Sequence, residues 1–349
     1  RFLFSAMDRF PPEATMAFFT ELGVSLKTER GNRVFPTSDR AADIIDALVR
    51  ELRRQKVTTV HGRVSHIQTE DGHVTGVTLE DGRNLTAQTV ILATGGASYP
   101  ATGSTGDGYR LASELGHTVT DLQGSLVPLE AKGEDCPRMQ GLALKNVRVK
   151  VVNQKKKVAY EGFGELLFTH FGLSGPLILS ASAHLTKLDK NQYTVIIDLK
   201  PALEEKKLDE RLVREFQAQA NKDFQNALGS LLPRLMIPVI IERTGIPPET
   251  KVHDLTRGQR RQLLEQLKGF RVDIQGLRPV EEAIVTSGGI KTSEVNPTTM
   301  ESKKVSGLYL VGELLDVDGY TGGFNLQIAW ATGYAAGLYG AKNETDMEK

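Results

Sequence analysis

SGLYLVGELLDVDGYTGGFNLQIAWATGYAAG, residues Ser306 to Gly337, carries the pattern that assigns this chain to a fold class. Leu308 to Val311 is a short apolar run with strand character that stops at Gly312-Glu313. A glycine turn, Thr321 to Asn325, then opens a helix running from Asn325 through Leu338. Strand, glycine-rich turn and helix in this order are the parts of an α/β nucleotide-binding domain. A helix N-terminus leaves N–H groups unsatisfied and carries partial positive charge, which suits a phosphate or the electron-rich edge of a flavin. Gly322 and Gly323 let the backbone approach such a cofactor with no Cβ in the way. Glu313, where the strand stops, is a candidate acceptor for ribityl or ribose hydroxyls, whereas Asp316 and Asp318 read equally well as turn caps. The competing reading of the whole stretch is a glycine-rich structural joint that binds nothing.

The same arrangement occurs upstream. A strand from Thr89 to Ala93 enters ATGG, Ala93 to Gly96, and the chain passes through GSTGDG, Gly103 to Gly108, into a helix with Tyr109, Leu111, Ala112 and Leu115 on its apolar face. Asp107 or Thr105 is expected to cap that helix and Gly116 to stop it. Thr94, Gly95 and Gly96 either place backbone against the same cofactor or form an ordinary tight strand exit. GSTGDG meets neither GxxxxGK[ST] nor GxGxxG, and no lysine follows it, which argues against a P-loop ATPase.

Helical spacing covers Pro12 to Leu22 and Arg40 to Gln55; strand character covers Val57 to Val60, Val64 to Thr69 and Val74 to Leu79, with turn signals at Asp71-Gly72 and Asp81-Gly82. Arg63 and Val64 lie where backbone groups either meet an adenine edge or belong to a plain strand. From Gly124 the texture changes to short β-rich runs, Val147 to Val152, Lys157 to Tyr160 and Tyr193 to Leu199, which suggest a small barrel or a curled sheet. Leu203 to Leu228 and Arg257 to Leu267 are helical in composition, and the apolar Leu231 to Ile241 suits a buried helix or helix pair. Phe270 to Ile274 and Ala283 to Thr286 return to strand character. The expected organisation is α/β: a first nucleotide-binding part over 1–123, a barrel-like insert over 124–200, a helical insert over 201–267, return strands over 268–290, and the C-terminal nucleotide-binding part over 291–349.

A chain of 349 residues is long enough for two or three domains. Its 43 basic and 43 acidic residues balance, which predicts no nucleic-acid partner and no anionic membrane. Cys136 is the single cysteine, so an intrachain disulfide and a multi-cysteine metal cluster are both excluded; a reducing compartment, the cytoplasm, is expected. No apolar run approaches the roughly 20 residues that span a bilayer, and the N-terminus lacks a signal-peptide pattern. The seven histidines form no HExxH or other compact metal motif, and no metal ligand is assigned.

Four blocks together resemble a bacterial flavoprotein family that contains aminoacetone oxidases and bile-acid-related dehydrogenases or reductases. They are GNRVFP (Gly31 to Pro36), VILATGGASYPATGSTGDGY (Val90 to Tyr109), LLFTHFGLSGP (Leu166 to Pro176) and the C-terminal stretch quoted above. The resemblance implies a discontinuous Rossmann-like FAD/NAD(P)-binding domain with an inserted β-barrel-like domain and a small helical domain. It puts Arg63, Val64, Thr94, Gly95 and Gly96 in FAD-proximal stretches, Gly312 and Glu313 on the ribityl or pyrophosphate side, and Gly322, Gly323, Phe324 and Asn325 at the flavin-facing helix start. Members of the family also begin with strand, GxGxxG and helix, followed by a GGGRCN stretch. Neither motif stands in this chain, so the chain is expected to be a truncated product that lacks the N-terminal dinucleotide-binding unit and binds FAD poorly.

In such a protein the flavin performs the redox step and side chains orient the substrate. His170, within FTHFG, is the candidate proton-transfer group, with packing beside Phe168 and Phe171 as its plain alternative. Arg33 is a candidate for orienting an anionic or carbonyl substrate or belongs to a surface ion pair. Tyr320, like Tyr99, offers a phenol or merely packs. The expected activity is FAD-dependent oxidation of a small amine such as aminoacetone with O2 as acceptor. The alternatives are reduction of an activated C=C bond with NAD(P)H as electron donor, and a nucleotide-binding module without activity. The expected partner is a small-molecule substrate, and oligomeric state is not legible.

Overall fold

The computed structural model describes residues 1–347 other than Arg30, Thr186, Lys187, Asp189 and Lys190, with side chains as far as Ala341. The chain forms two compact units, one made of Arg1–Ser125 and Ala283–Lys349, the other of Leu126–Glu282.

The first unit opens with helices α1 (Phe4–Arg9) and α2 (Pro12–Glu21), the hairpin β1 (Leu26–Glu29) and β2 (Arg33–Pro36), and helix α3 (Ala41–Arg54). Pro12 starts α2 where a missing N–H costs nothing. Ala47, with Ile44 and Leu48, turns one face of α3 toward Phe19 and Val24, and Trp330 joins this small core. Val57 to Val60, expected as a strand, is irregular. Its β-branched residues make a strand only where another strand takes up their backbone groups, and none of the described strands pairs with it. Strands β3 (Val64–Glu70), β4 (His73–Leu79) and β5 (Asn84–Thr86) form an antiparallel sheet. Asp71 and Gly72, with φ of 48° and 79°, make the tight turn between the first two.

Strand β6 (Val90–Leu92) leads through ATGG to helix α4 (Asp107–Glu114), then β7 (Gln123–Ser125). The expected side-chain cap of α4 does not form: Gly106 holds the cap position with φ of 80°. The Asp107 carboxylate instead takes both nitrogens of Arg63, at 2.8 and 2.6 Å, and the Thr105 hydroxyl at 2.9 Å. A bidentate pair with a guanidinium gives that carboxylate two charge-assisted bonds in place of the one a cap would make.

The second unit contains β8 (Leu129–Ala131), α5 (Asp135–Arg138), β9 (Ala143–Asn153), β10 (Val158–Phe168), β11 (Gly172–Ser174), α6 (Pro176–Ser182) and β12 (Tyr193–Asp198). It continues with α7 (Glu205–Ala218), α8 (Phe224–Ala227), α9 (Ile237–Thr244), α10 (Arg257–Lys268) and β13 (Phe270–Leu277). Its six strands close into a barrel in the order β10-β11-β8-β13-β12-β9, in line with the small barrel expected from the β-rich runs. Alternation explains the closure: Val147, Val149 and Val151 of β9 and Val195 and Ile197 of β12 are buried, while intervening positions face outward. Thr256 and Gln259 form a capping box at the start of α10, and Leu263, Leu264 and Leu267 on that helix share one core with the barrel. Barrel and helices are thus one packed body within this unit.

The chain re-enters the first unit at Ala283. Strand β14 (Val285–Ser287) pairs antiparallel with β7, β15 (Leu308–Leu310) runs parallel to β6, and the long helix α11 (Phe324–Met347) follows. Ala331, Ala335 and Ala336 are fully buried, so α11 packs through small residues. Among the described residues, no helix is long and apolar enough to cross a membrane.

Candidate functional site

Parallel pairing of β6 with β15 sets Leu92 beside Leu310, so both chains leave the sheet at the same end. Ligands of α/β folds collect at the carboxyl ends of parallel strands. A cavity of about 510 Å³ opens there. Ala93, Gly95, Val311, Gly312 and Glu313 line it from the two strand ends; Ala329, Trp330, Gly333 and Tyr334 line it from α11; Phe10, Phe18, Phe19 and Leu48 close it from α1 to α3. Phe10 stacks on Tyr334 with ring centres 4.6 Å apart, and Phe19 meets Trp330 edge-on at 5.3 Å. The wall opposite the strand ends is therefore aromatic and apolar, and the strand ends themselves contribute backbone.

Gly95 and Gly312 turn with φ of 72° and 67°, a conformation that favours glycine. At Gly96 the requirement is steric, because a Cβ would strike Thr286 Oγ1 and stand 2.8 Å from Glu313 Oε1. Gly108 is equally constrained: a Cβ there would collide with Thr94 Oγ1 and approach Leu314 Cδ1 to 2.7 Å. The Thr94 side chain consequently packs on the backbone of the first turn of α4, and its hydroxyl is buried with no hydrogen-bond partner.

Glu313 organises this end of the unit. Its Oε1 accepts the Thr286 backbone N–H at 2.7 Å and the Ser98 hydroxyl at 3.0 Å, while its Oε2 accepts from no described residue. Thr286 Oγ1 in turn accepts the N–H groups of Ala97 and Ser98, at 2.8 and 3.1 Å. Beneath them Tyr109 donates to the Glu313 carbonyl at 3.3 Å. Burial, reinforced by the Glu313 charge, pushes that phenol far above its usual range and keeps it protonated.

Of the residues singled out from sequence, Gly95, Gly312 and Glu313 meet on the cavity, and Thr94 and Gly96 flank Gly95. Arg63 is exposed and committed to Asp107, and Val64 begins β3 with its carbonyl accepting from Arg110 at 3.3 Å. Asn325 uses both ends of its amide on Gly319, accepting its N–H at 2.8 Å and donating to its carbonyl at 2.9 Å, so it braces the Gly322-Gly323 turn. Phe324 and Tyr320 are exposed beside that turn. Arg33 lies on β2 with its guanidinium 5.7 Å from the Phe35 ring centre. Neither these nor Tyr320 is among the residues lining the cavity. His170 belongs to the second unit, in the turn between β10 and β11, edge-on to Phe171 at 4.9 Å. Sequence reading missed Thr286, Tyr109 and the aromatic wall. The TSGG run, Thr286 to Gly289, was the available signal, with Gly288 and Gly289 both at positive φ.

Comparison with known proteins adds the following. The model of the HI0933-like protein Rossmann domain matches residues 1–339. A 3-dehydro-bile acid delta(4,6)-reductase from Clostridium scindens is 34% identical over 97% of this chain and 82% of its own. Ribosomal RNA dihydrouridine synthases from Escherichia coli and Haemophilus influenzae are 30% and 29% identical, over 95% and 97% of this chain and 80% and 82% of theirs. Among solved structures, Aquifex aeolicus GidA in its form II crystal aligns with a TM-score of 0.36 and 12% identity, over 97% of this chain and 54% of that one, a likeness too distant to bear on activity. With a match that runs almost end to end, this chain belongs to the HI0933-like Rossmann-domain family.

Proposed function

We propose that the chain is an FAD-dependent oxidoreductase that reduces a C=C bond conjugated to a carbonyl, with NAD(P)H as electron donor. The observation that carries the cofactor assignment is the cavity at the paired ends of β6 and β15. Its residues fit FAD. Gly95 and Gly312 offer bare backbone, Ala329 and Gly333 keep the α11 side low, and the aromatic wall suits an apolar ring. Glu313 keeps one carboxylate oxygen uncommitted. Gly95 and Gly312 would hold the cofactor through backbone, and Glu313 Oε2 would accept from a ribityl hydroxyl. Bound FAD supplies two-electron hydride chemistry that no side chain provides.

The direction of flow is supported by what the relatives are named for. One is a reductase of a dehydro-bile acid, and two make dihydrouridine, which is uridine saturated across the C=C bond conjugated to its ring carbonyl. The chain's own part is to exclude water with Phe10, Phe18, Phe19 and Trp330 and to manage a proton. His170, Arg33 and Tyr320 stay the sequence's candidates for proton transfer and for orienting the carbonyl, and none of them is among the residues lining the cavity.

Anaerobic mixing of the FAD-loaded protein tests this. Under this reading NAD(P)H bleaches the flavin, a conjugated enone or uridine restores its colour, and aminoacetone leaves the oxidised flavin unchanged. Bleaching by aminoacetone, with reoxidation by O2 alone, would establish amine oxidation instead.

A further inference from the structure

The balanced charge of the whole chain conceals two unequal units. Between Leu126 and Glu282 stand 25 lysines and arginines against 20 aspartates and glutamates, so the second unit carries a net charge of +5 and the first −5. The excess has a location. From Cys136 to Tyr160 there are seven basic residues and no acidic one, and this stretch contains β9 and the hairpin turn that leads to β10. We infer that the outer face of β9 and β10, with the Lys155–Lys157 turn, is a binding surface for single-stranded RNA.

Three observations carry this. Lys145, Arg148, Lys155, Lys156 and Lys157 are exposed and make no ion pair with any described residue, whereas Lys150 pairs with Glu161 at 3.4 Å. The lysine turn is held in one shape: Asn153 Oδ1 accepts the backbone N–H groups of Lys155 and Lys157, each at 3.0 Å, so its three side chains spring from a fixed loop. Phe163 on β10 stands directly opposite Arg148 on β9 and is 62% exposed. The inward sides of Gly162 and Gly164 are taken up by Leu177, which leaves Phe163 pointing away from the barrel.

Fixed cations that track phosphates, beside an aromatic ring free to stack on a base, are the two parts of single-strand recognition. A base can reach Phe163 only when unstacked, which excludes a regular duplex. An anionic membrane would engage the lysines, but this face offers Phe163 and Val158 as its exposed large apolar side chains, too little to insert. On neighbouring barrel strands Asp198 of β12 pairs with Lys268 at 2.6 Å and Asp273 of β13 accepts from Thr194 at 2.7 Å, while Glu165 on β10 itself carries no ion pair. The choice of RNA over DNA rests on the reductase reading above, in which the uracil ring of RNA is a conjugated substrate.

The test is fluorescence anisotropy of the full chain with a labelled, uridine-rich single-stranded RNA of about 15 nucleotides, a length that one such surface covers. FAD and NAD(P)H are left out, so binding is read without turnover. The expected affinity falls with salt with a log–log slope of about −3, and reversal of Lys155, Lys156 and Lys157 to Glu flattens that slope by about 2. Phe163→Ala weakens binding at least about fivefold and Phe163→Tyr restores it, with thermal unfolding unchanged in every variant. No binding at low salt, variants that bind like the parent, or capture by phosphatidylserine vesicles without RNA binding would overturn the proposal. RNA binding by a protein whose FAD-loaded form reduces neither a conjugated enone nor uridine with NAD(P)H would instead sink the reductase reading and leave this surface standing.

Discussion

The Thr286 backbone N–H donates to Glu313 Oε1 at 2.7 Å, and through that bond the strand β14 is tied to the end of β15. The Ser98 hydroxyl reaches the same oxygen, so one carboxylate oxygen gathers three segments that are remote in sequence around the mouth of the cavity.

Removing that oxygen leaves two donors without an acceptor. Glu313→Ala is expected to destabilise the fold by about 2 kcal/mol, and Glu313→Gln, which keeps an oxygen in the same place, by less than about 1 kcal/mol. Urea unfolding of the two variants beside the parent measures the difference, and equal losses would contradict the role given to Oε1.

Glycines at the site should not tolerate a methyl group. Gly96→Ala and Gly108→Ala are each expected to cost about 1–3 kcal/mol through overpacking against Thr286 and Glu313, or against Thr94 and Leu314. Gly337→Ala on α11 has open space around its Cβ and should stabilise by up to about 1 kcal/mol. Thermal melts of the three variants separate packing from helix propensity.

Such close approaches mark the boundary of what was legible beforehand. Helices α2 and α3, the Asp71-Gly72 hairpin and the strand–turn–helix at β15 were readable because their signals are local: spacing of apolar residues, a two-residue turn, a glycine exit. Val57 to Val60 misled because a strand is a property of a pair. Asp107 misled because Arg63, 44 positions away, claims the carboxylate a cap would have used. Thr286 was invisible because its bonds reach back 188 and 189 residues, to Ser98 and Ala97. The barrel was foreseen from β9, β10 and β12, yet its closure depends on β8 and β11, three residues each and too short to show alternation. At the site, Gly95, Gly312 and Glu313 announced themselves as strand exits; the aromatic wall looked like ordinary helix faces.

Stability is expected to fall as pH drops below about 6.5, the ordinary histidine value. His117 is buried with Nδ1 3.1 Å from Glu294 and Nε2 2.8 Å from the Ser302 hydroxyl. Ser302 Oγ already accepts the N–H groups of Lys304 and Val305, so it donates its hydrogen to Nε2 and favours the neutral ring. Burial lowers the His117 pKa more than Glu294 raises it. The unfolded chain therefore binds a proton first, and the stabilisation, complete above 6.5, is lost as pH falls through and below that value. For Glu294, burial acts upward, but hydrogen bonds from Thr118, Lys304 and His117 outweigh it and carry the pKa down to about 2. A second loss should follow between about 4.5 and 2. Urea midpoints against pH for the parent and His117→Gln provide the check: the variant should lose the first dependence.

The Arg63–Asp107 pair is solvent-facing, so Arg63→Ala should cost less than about 1 kcal/mol despite its bidentate geometry. A flavin titration of the same variant reads a separate quantity. Weaker FAD binding with unchanged stability would assign Arg63 to the cofactor, and no change in either would leave it a surface pair.

The central claim is that FAD occupies the cavity between the strand ends and α11, and filling that cavity tests it most directly. Ala329, half-buried on the turn of α11 that faces Gly312, lines the cavity, and enlarging it to Phe fills that space. Quenching of FAD fluorescence on titration should show saturable binding to the parent, and binding at least about tenfold weaker to Ala329→Phe, a difference of about 1.4 kcal/mol, with the urea midpoint unchanged. Equal FAD affinity in the two proteins, or no quenching by the parent at all, would contradict the account.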